Sequence, residues 1–406
     1  MAAEYGDFQD LVDEVSVLLG APATLEDRDF RLIAFGVHDS DDATALDPVR
    51  TRSILTRHST ADVRAWFERY GIARAAGPVR IPAAPAEGVV RGRLCLPVRH
   101  GGFGYGYVWL LDEAEHSPGQ LAAAMAVAGR IGERLAAMSR AGAEAGLALR
   151  ALLTAATRAA RDTAEDTLRL ALGPDADEPH AMVCVKVPVP TARNGFAAGP
   201  GAPGQDAGDG TRGDLPGLRT IPAAAALARV PVPVPARGEM IALLVRLRSA
   251  HLLAGARTAA ARLLDQVGIE AAVAGVSGGR QSLAELPGAW REAVDAARAA
   301  HAQPLLGPIA KWSGLGPYRL LTALPAGVPP DPAVAPLLTE AHQELAHTAE
   351  VFLDHAGQAG RTATALAIHR QTLYYRLSKI EQLTGLDLAD GESRLLLHMA
   401  LKAARL

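Results

Sequence analysis

The chain is poor in residues that anchor reactive chemistry. Its 406 residues include two cysteines, Cys95 and Cys184. They lie far apart, each inside an apolar run, which excludes a disulfide framework and points to buried reduced thiols. Twelve histidines form no His-Glu-x-x-His and no Cys-x-x-Cys occurs, so no motif has metal-ligand spacing and neither metal nor cofactor is expected. The absence of Gly-x-x-x-x-Gly-Lys removes a Walker-type phosphate loop. No uninterrupted apolar run reaches the ~18–20 residues that span a bilayer, and the acidic residues 1–10 read as no signal peptide. A cytoplasmic, membrane-free protein is the expectation. The net charge of −3 rules out a generally basic nucleic-acid binder, so any such contact needs a local patch.

Alanine, glycine, arginine and proline dominate while lysine is scarce, as in translation from a GC-rich genome. Alanine counts are therefore set aside. A chain this long holds two to four domains.

One local patch stands out. Between Arg361 and Ile380 there are four Lys or Arg residues and no Asp or Glu. Ala365, Leu366 and Ile368 close one helical pattern, and Leu373, Leu377, Ile380 and Leu383 continue at steps of four, three and three, giving a second helix with one buried stripe. Its other face carries Arg370, Gln371, Thr372, Tyr375, Arg376 and Lys379. Gln371 and Thr372 fall in the first turn, where a helix-turn-helix presents side chains to base edges, and the cations further along can reach phosphates. His369 occupies the turn, placed to fix it by hydrogen bonding or to meet a phosphate. A solvated basic face without a partner is the competing reading.

Residues 357–388 resemble, without gaps, the C-terminal helix-turn-helix of the PucR/CdaR family of bacterial transcriptional regulators. The matching positions are Thr362-Ala363, Ala365-Leu366, His369-Arg370, Thr372, Tyr375-Arg376-Leu377, Ile380-Glu381 and Thr384-Gly385, with a last helix expected over 392–406. The resemblance implies double-stranded operator DNA as partner, read by His369, Arg370, Gln371, Thr372, Tyr374, Tyr375, Arg376 and Lys379. Three positions depart from the pattern. Gly360 stands where Ser is frequent, removing a side-chain cap; Gln371 replaces Asn; Tyr374 replaces a commonly basic residue.

Upstream, residues 7–19 share an apolar helical face through Phe8, Leu11, Val12, Val15, Leu18 and Leu19. Residues 23–27 and 31–37 read as a hairpin, 52–70 as a helix, and 92–112 as a second hairpin around a glycine-rich turn. This order resembles a GAF-like sensor. From Ser117 the chain reads as helical for a long way, to about Leu172, with Leu121, Met125, Ala128, Ile131 and Leu135 near heptad spacing. That stripe fits either a dimerising stalk or the terminal helix of the sensor. A strand over 181–187 precedes residues 191–220, which hold eight Gly and three Pro and read as a disordered loop. Order is expected to resume at Val230, with a strand through 237–246, a helix over 249–267, a strand over 269–276 and a helix over 286–301.

This middle region resembles the GGDEF-like domain of the same family. In active diguanylate cyclases the turn before the strand supplies acids that hold a divalent metal against a triphosphate. Here it reads Ala236-Arg237-Gly238-Glu239-Met240, with Arg237 in place of an acid, which argues against nucleotidyl transfer. Gly275-Val-Ser-Gly-Gly279 fits Gly-x-Ser-x-Gly, yet the helix does not start directly after Ser277 as a nucleophile elbow requires. The expectation is a multidomain α+β protein: a GAF-like α/β sensor with connecting helix at 1–140, a degenerate GGDEF-like α/β domain at 141–310 with a disordered insertion at 191–220, and an all-α helix-turn-helix at 330–406. It implies a homodimeric, non-enzymatic regulator with a small-molecule effector. The alternatives are a nucleotide-signalling effector or enzyme using the GGDEF-like domain, and a protein-interaction adaptor.

Overall fold

The computed structural model describes residues 2–36, 48–85, 89–111, 115–186, 217–231, 239–269, 271–324 and 329–406, and the chain divides into two units, Met1–Ala141 and Gly142–Leu406. Most of the glycine-rich insertion, and Ala236, Arg237 and Gly238 of the altered turn, lie outside the described residues.

Unit 1 begins with α1 (Ala2–Leu19), then β1 (Thr24–Asp27), β2 (Leu32–Phe35), α2 (Pro48–Thr56), α3 (Ala61–Glu68), β3 (Val79–Ile81), β4 (Arg93–His100) and β5 (Phe103–Leu111), and ends within α4 (Pro118–Thr154). The strands form one antiparallel sheet in the order β2-β1-β5-β4-β3. Both hairpins expected from the sequence are present. Gly101 and Gly102, with φ of 55° and 86°, make the tight turn of β4 and β5 that a side chain would strain. Strand alternation sorts the core. Leu94, Leu96, Val98, Val108 and Leu110 face α1 and α4, while Cys95, Tyr107 and Trp109 face Phe30, Trp66, Phe67 and Ile72. Burial of these two faces drives the unit's folding.

The second face also encloses a carboxylate. Glu26 is buried and accepts hydrogen bonds from the hydroxyls of Ser53 and, at 3.4 Å, Ser59. Burial pushes its carboxyl up from an ordinary 4.5 to about 7, against the opposing pull of Ser53, the Arg93 charge and Ser59.

Two helical expectations change here. Residues 52–70 form two helices, not one, because Arg57 takes a φ of 58° and the Thr60 hydroxyl caps α3 by accepting from Val63 N–H. The near-heptad stripe of α4 is spent inside the unit. Ala128, Ile131 and Leu135 are buried against the sheet, with Leu121 and Met125 packed beside them, so this stripe belongs to the unit's own core.

Unit 2 takes the remainder of α4, then α5 (Arg158–Leu172), β6 (His180–Lys186), β7 (Ala224–Pro231), β8 (Glu239–Arg246), α6 (Ala254–Val267), β9 (Val273–Val276), α7 (Leu286–Ala302), β10 (Ile309–Lys311), α8 (Tyr318–Leu321), α9 (Gln343–Asp354), α10 (Ala359–Ala365), α11 (Arg370–Thr384) and α12 (Gly391–Ala403). The helical stretch expected to about Leu172 is present as two helices, α4 stopping at Thr154. Thr157 then caps α5 by accepting from Ala160 N–H at 3.2 Å. Strand β7 begins six residues before the expected resumption at Val230, α6 starts at Ala254 rather than 249, and β9 is limited to its last four expected residues.

The second sheet has the order β10-β9-β6-β8-β7, with β9 and β10 parallel and the other neighbours antiparallel. Both faces are covered: Met182, Cys184, Ala242 and Leu244 meet α4, α5 and α7, and Val183, Val185, Leu243 and Val245 meet α6. That is why β6 and β8 read as unbroken apolar runs.

The Gly-x-Ser-x-Gly run has a packing role. Ser277 is fully buried, accepts from Met182 N–H at 2.9 Å and donates to Gly278 O at 2.7 Å. A Cβ on Gly275 would overlap Ala293 O and Ala297 N, and one on Gly279 would lie 2.7 Å from the Ala250 carbonyl carbon. These glycines admit neighbouring backbone rather than a substrate.

Candidate nucleic-acid interface

Helices α9 to α12 enclose their own core. Leu373, Leu377 and Ile380 of α11 are buried with Phe352 and Leu353 of α9, Ala363 of α10, and Leu397 and Leu401 of α12. The buried stripe is the one read from the sequence. It fixes which face of α11 points outward.

The turn between α10 and α11 is built from local hydrogen bonds. Ala367 sits in the left-handed region at φ 52°, its N–H donates to Thr364 O at 3.1 Å, and Ile368 N–H reaches Ala363 O at 3.0 Å. This is a Schellman closure with alanine where glycine is usual. His369 then caps α11: its Nδ1 accepts from Gln371 N–H at 3.3 Å. Its role here is to start the helix. Ala367→Gly relieves the strained backbone at some cost in unfolded-state entropy, and we expect it to stabilise the module by about 0.5–1 kcal/mol. A urea midpoint that stays put or falls would count against this.

The outward face carries most of the expected residues together. His369, Arg370, Gln371, Thr372, Tyr374, Tyr375 and Lys379 are all exposed, with Tyr375 at 72% and Tyr374 at 49%. Arg370 folds back along the helix. Its Nε and Nη2 donate to the Tyr374 hydroxyl at 3.2 and 2.9 Å, and the guanidinium carbon lies 5.4 Å from the ring centroid.

Arg376 does not join this face. Its side chain is only 18% exposed, forms an ion pair with Glu344 of α9 and donates from Nη1 to Thr348 Oγ1 at 3.3 Å. In this structure it staples α11 to α9 instead of facing a phosphate. Glu344 and Thr348 escaped sequence reasoning because they lie about thirty residues upstream, with no local signal linking them to Arg376. Gly360 is also reassigned. It is the second residue of α10, behind the N-cap position Gln358, which makes no side-chain capping bond, so the missing Ser removes no N-cap.

The module's acidic groups are spent elsewhere. Glu350 pairs with Lys402 and Arg405, and Asp354 lies 2.9 Å from Lys402 and 2.8 Å from His398, joining α9 to α12. Burial works to raise the Asp354 carboxyl, but the hydrogen bonds from Lys402 and His398 outweigh it and hold it below the usual range. Glu381 accepts from Leu388 N–H at 3.0 Å and so anchors the loop before α12. Glu381 is the one acid of α11, so the outward residues from Arg370 to Lys379 carry no carboxylate.

Known families match this arrangement. The PucR C-terminal helix-turn-helix domain matches residues 345–403, and the GGDEF-like domain matches residues 156–299. The chain carries a PucR-type C-terminal helix-turn-helix domain behind a GGDEF-like domain. It is 35% identical over 137 residues to the purine catabolism regulatory protein of Bacillus subtilis strain 168, covering 32% of this chain and 26% of that one. To the carbohydrate diacid regulator of Escherichia coli K12 it is 48% identical over 58 residues, 14% of this chain and 15% of the relative. The chain therefore spans about a quarter or less of the length of these curated relatives. A solved regulator of polyketide synthase expression from Bifidobacterium adolescentis aligns with 64% of this chain and 92% of its own, at 18% identity and a TM-score of 0.28. Among the described residues, no helix is long and apolar enough to cross a membrane.

Proposed function

We propose that this chain is a cytoplasmic, homodimeric transcription regulator whose N-terminal domain, read as GAF-like, takes up a small-molecule signal and whose C-terminal helix-turn-helix binds an operator in double-stranded DNA. The observation that carries the reading is the first turn of α11. It presents Arg370, Gln371 and Thr372 outward, ahead of Lys379, on a segment without carboxylates. A duplex attracts such a face through its phosphates and is read through the major groove. The family members are themselves named as regulators. Two copies would read two half-sites, as helix-turn-helix proteins commonly do. The middle domain serves as a scaffold or interaction domain rather than an enzyme, since Arg237 stands where a metal site needs an acid.

The test is binding of the full chain to its own upstream intergenic DNA against an unrelated duplex of equal length, at two salt concentrations. Preferential, salt-sensitive binding is expected. Arg370→Ala with Lys379→Ala should weaken it at least tenfold and flatten the salt dependence by about one unit for the Lys379 phosphate contact. Arg376→Ala is a poor probe, because it also opens the α9–α11 staple. Equal, weak binding to both duplexes that the double variant leaves unchanged would favour the adaptor reading.

A further inference from the structure

Resting on the operator-binding reading, we propose that Tyr374 is a positioning residue that sets Arg370 to read a guanine in each half-site. A guanidinium has two donor edges, each with two roughly parallel N–H groups. The Nε and Nη2 groups of Arg370 both donate to the Tyr374 hydroxyl, at 3.2 and 2.9 Å. That occupies the edge facing back along the helix and leaves the Nη1–Nη2 edge open. Two parallel donors on an open edge match the O6 and N7 acceptors that only guanine offers together in the major groove.

The placement supports the chemistry. Arg370 is the first residue of α11 and Tyr374 lies one turn on, on the same face. Both are exposed, and the ring lies 5.4 Å from the guanidinium carbon. An exposed arginine samples many rotamers, and fixing it on binding costs conformational entropy. The tyrosine holds the side chain beforehand, so that cost falls on folding and not on recognition.

The experiment is selection of duplexes from a randomised pool by the full chain, followed by affinity measurements on the selected site, on the same site with one guanine replaced, and on a non-specific duplex. In the parent, replacing that guanine should weaken binding at least tenfold. Arg370→Ala should bind both sites alike. Tyr374→Phe, which keeps the ring and removes the hydroxyl, should lose three- to tenfold on the guanine site and narrow the gap between that site and its guanine-replaced version. A guanine preference that survives intact in Tyr374→Phe, or a consensus with no base pair dependent on Arg370, overturns the assignment while operator binding stands. A parent chain that selects no consensus overturns the regulator reading itself.

Discussion

Gly275→Ala is expected to destabilise the second unit by more than about 3 kcal/mol, enough to prevent folding at physiological temperature. Gly275 lies in β9 and pairs with Ala310 of β10 and Cys184 of β6. Its missing side chain lets α7 rest directly on the sheet. A Cβ there would overlap Ala293 O and Ala297 N and come within 2.9 Å of Ala296 C, and backbone held in a helix cannot swing aside as a side-chain tip can. The helix would have to lift, uncovering the buried alanines Ala293, Ala296, Ala297 and Ala300. Gly288 is the control, since a Cβ there meets nothing within 4 Å. Gly288→Ala should be neutral or stabilising by up to about 1 kcal/mol. Urea unfolding of both variants, followed by circular dichroism, checks the pair. Equal midpoints for the two would refute the close-packing argument.

The same contact shows where sequence reading fell short. Alanine had been set aside as a mark of genome composition, yet the alanines of α7 pair with Gly275 to bring helix and sheet backbones together. That relation is between distant segments and leaves no periodic trace in either one. Strand β7 was missed for a related reason. Its start, Ala224-Ala-Ala-Leu-Ala, lacks the β-branched residues that mark strands, and it becomes a strand by pairing with β8. By contrast, the β4–β5 hairpin, α1 and the α10–α11 turn were legible because their determinants are local: two glycines, one apolar stripe, one capping residue. At the candidate interface, the spacing of Leu373, Leu377 and Ile380 indicated which face of α11 is outward. It could not show that Arg376 turns back to Glu344, because charge pairing across helices has no sequence period. The stripe from Leu121 to Leu135 was ambiguous in the same way. Spacing shows that a face is apolar but not whether it meets its own sheet or a second copy.

Raising the pH from 5 to 8 should weaken the first unit by up to about 3 kcal/mol, and Glu26→Gln should abolish most of that dependence. The folded-state pKa of Glu26 is pushed up to about 7 from an ordinary 4.5, chiefly by burial. The folded state therefore holds the proton more tightly than the unfolded state does. Stability from this group is fully present below 4.5 and is lost as pH rises through 7, and a shift of this size corresponds to roughly 3 kcal/mol at most. Glutamine keeps an oxygen for the Ser53 and Ser59 hydroxyls and cannot ionise. Because the full chain carries two units, the readout must be local. Hydrogen exchange of the β1 and β5 amides, followed by mass spectrometry at pH 5.5 and 8 and corrected for intrinsic exchange rates, reports the unit that contains Glu26. The parent should lose protection at the higher pH and Glu26→Gln should hold it. The same loss in both proteins would mean that Glu26 ionises in the folded state without cost, and that the hydroxyls and Arg93 offset its burial in full.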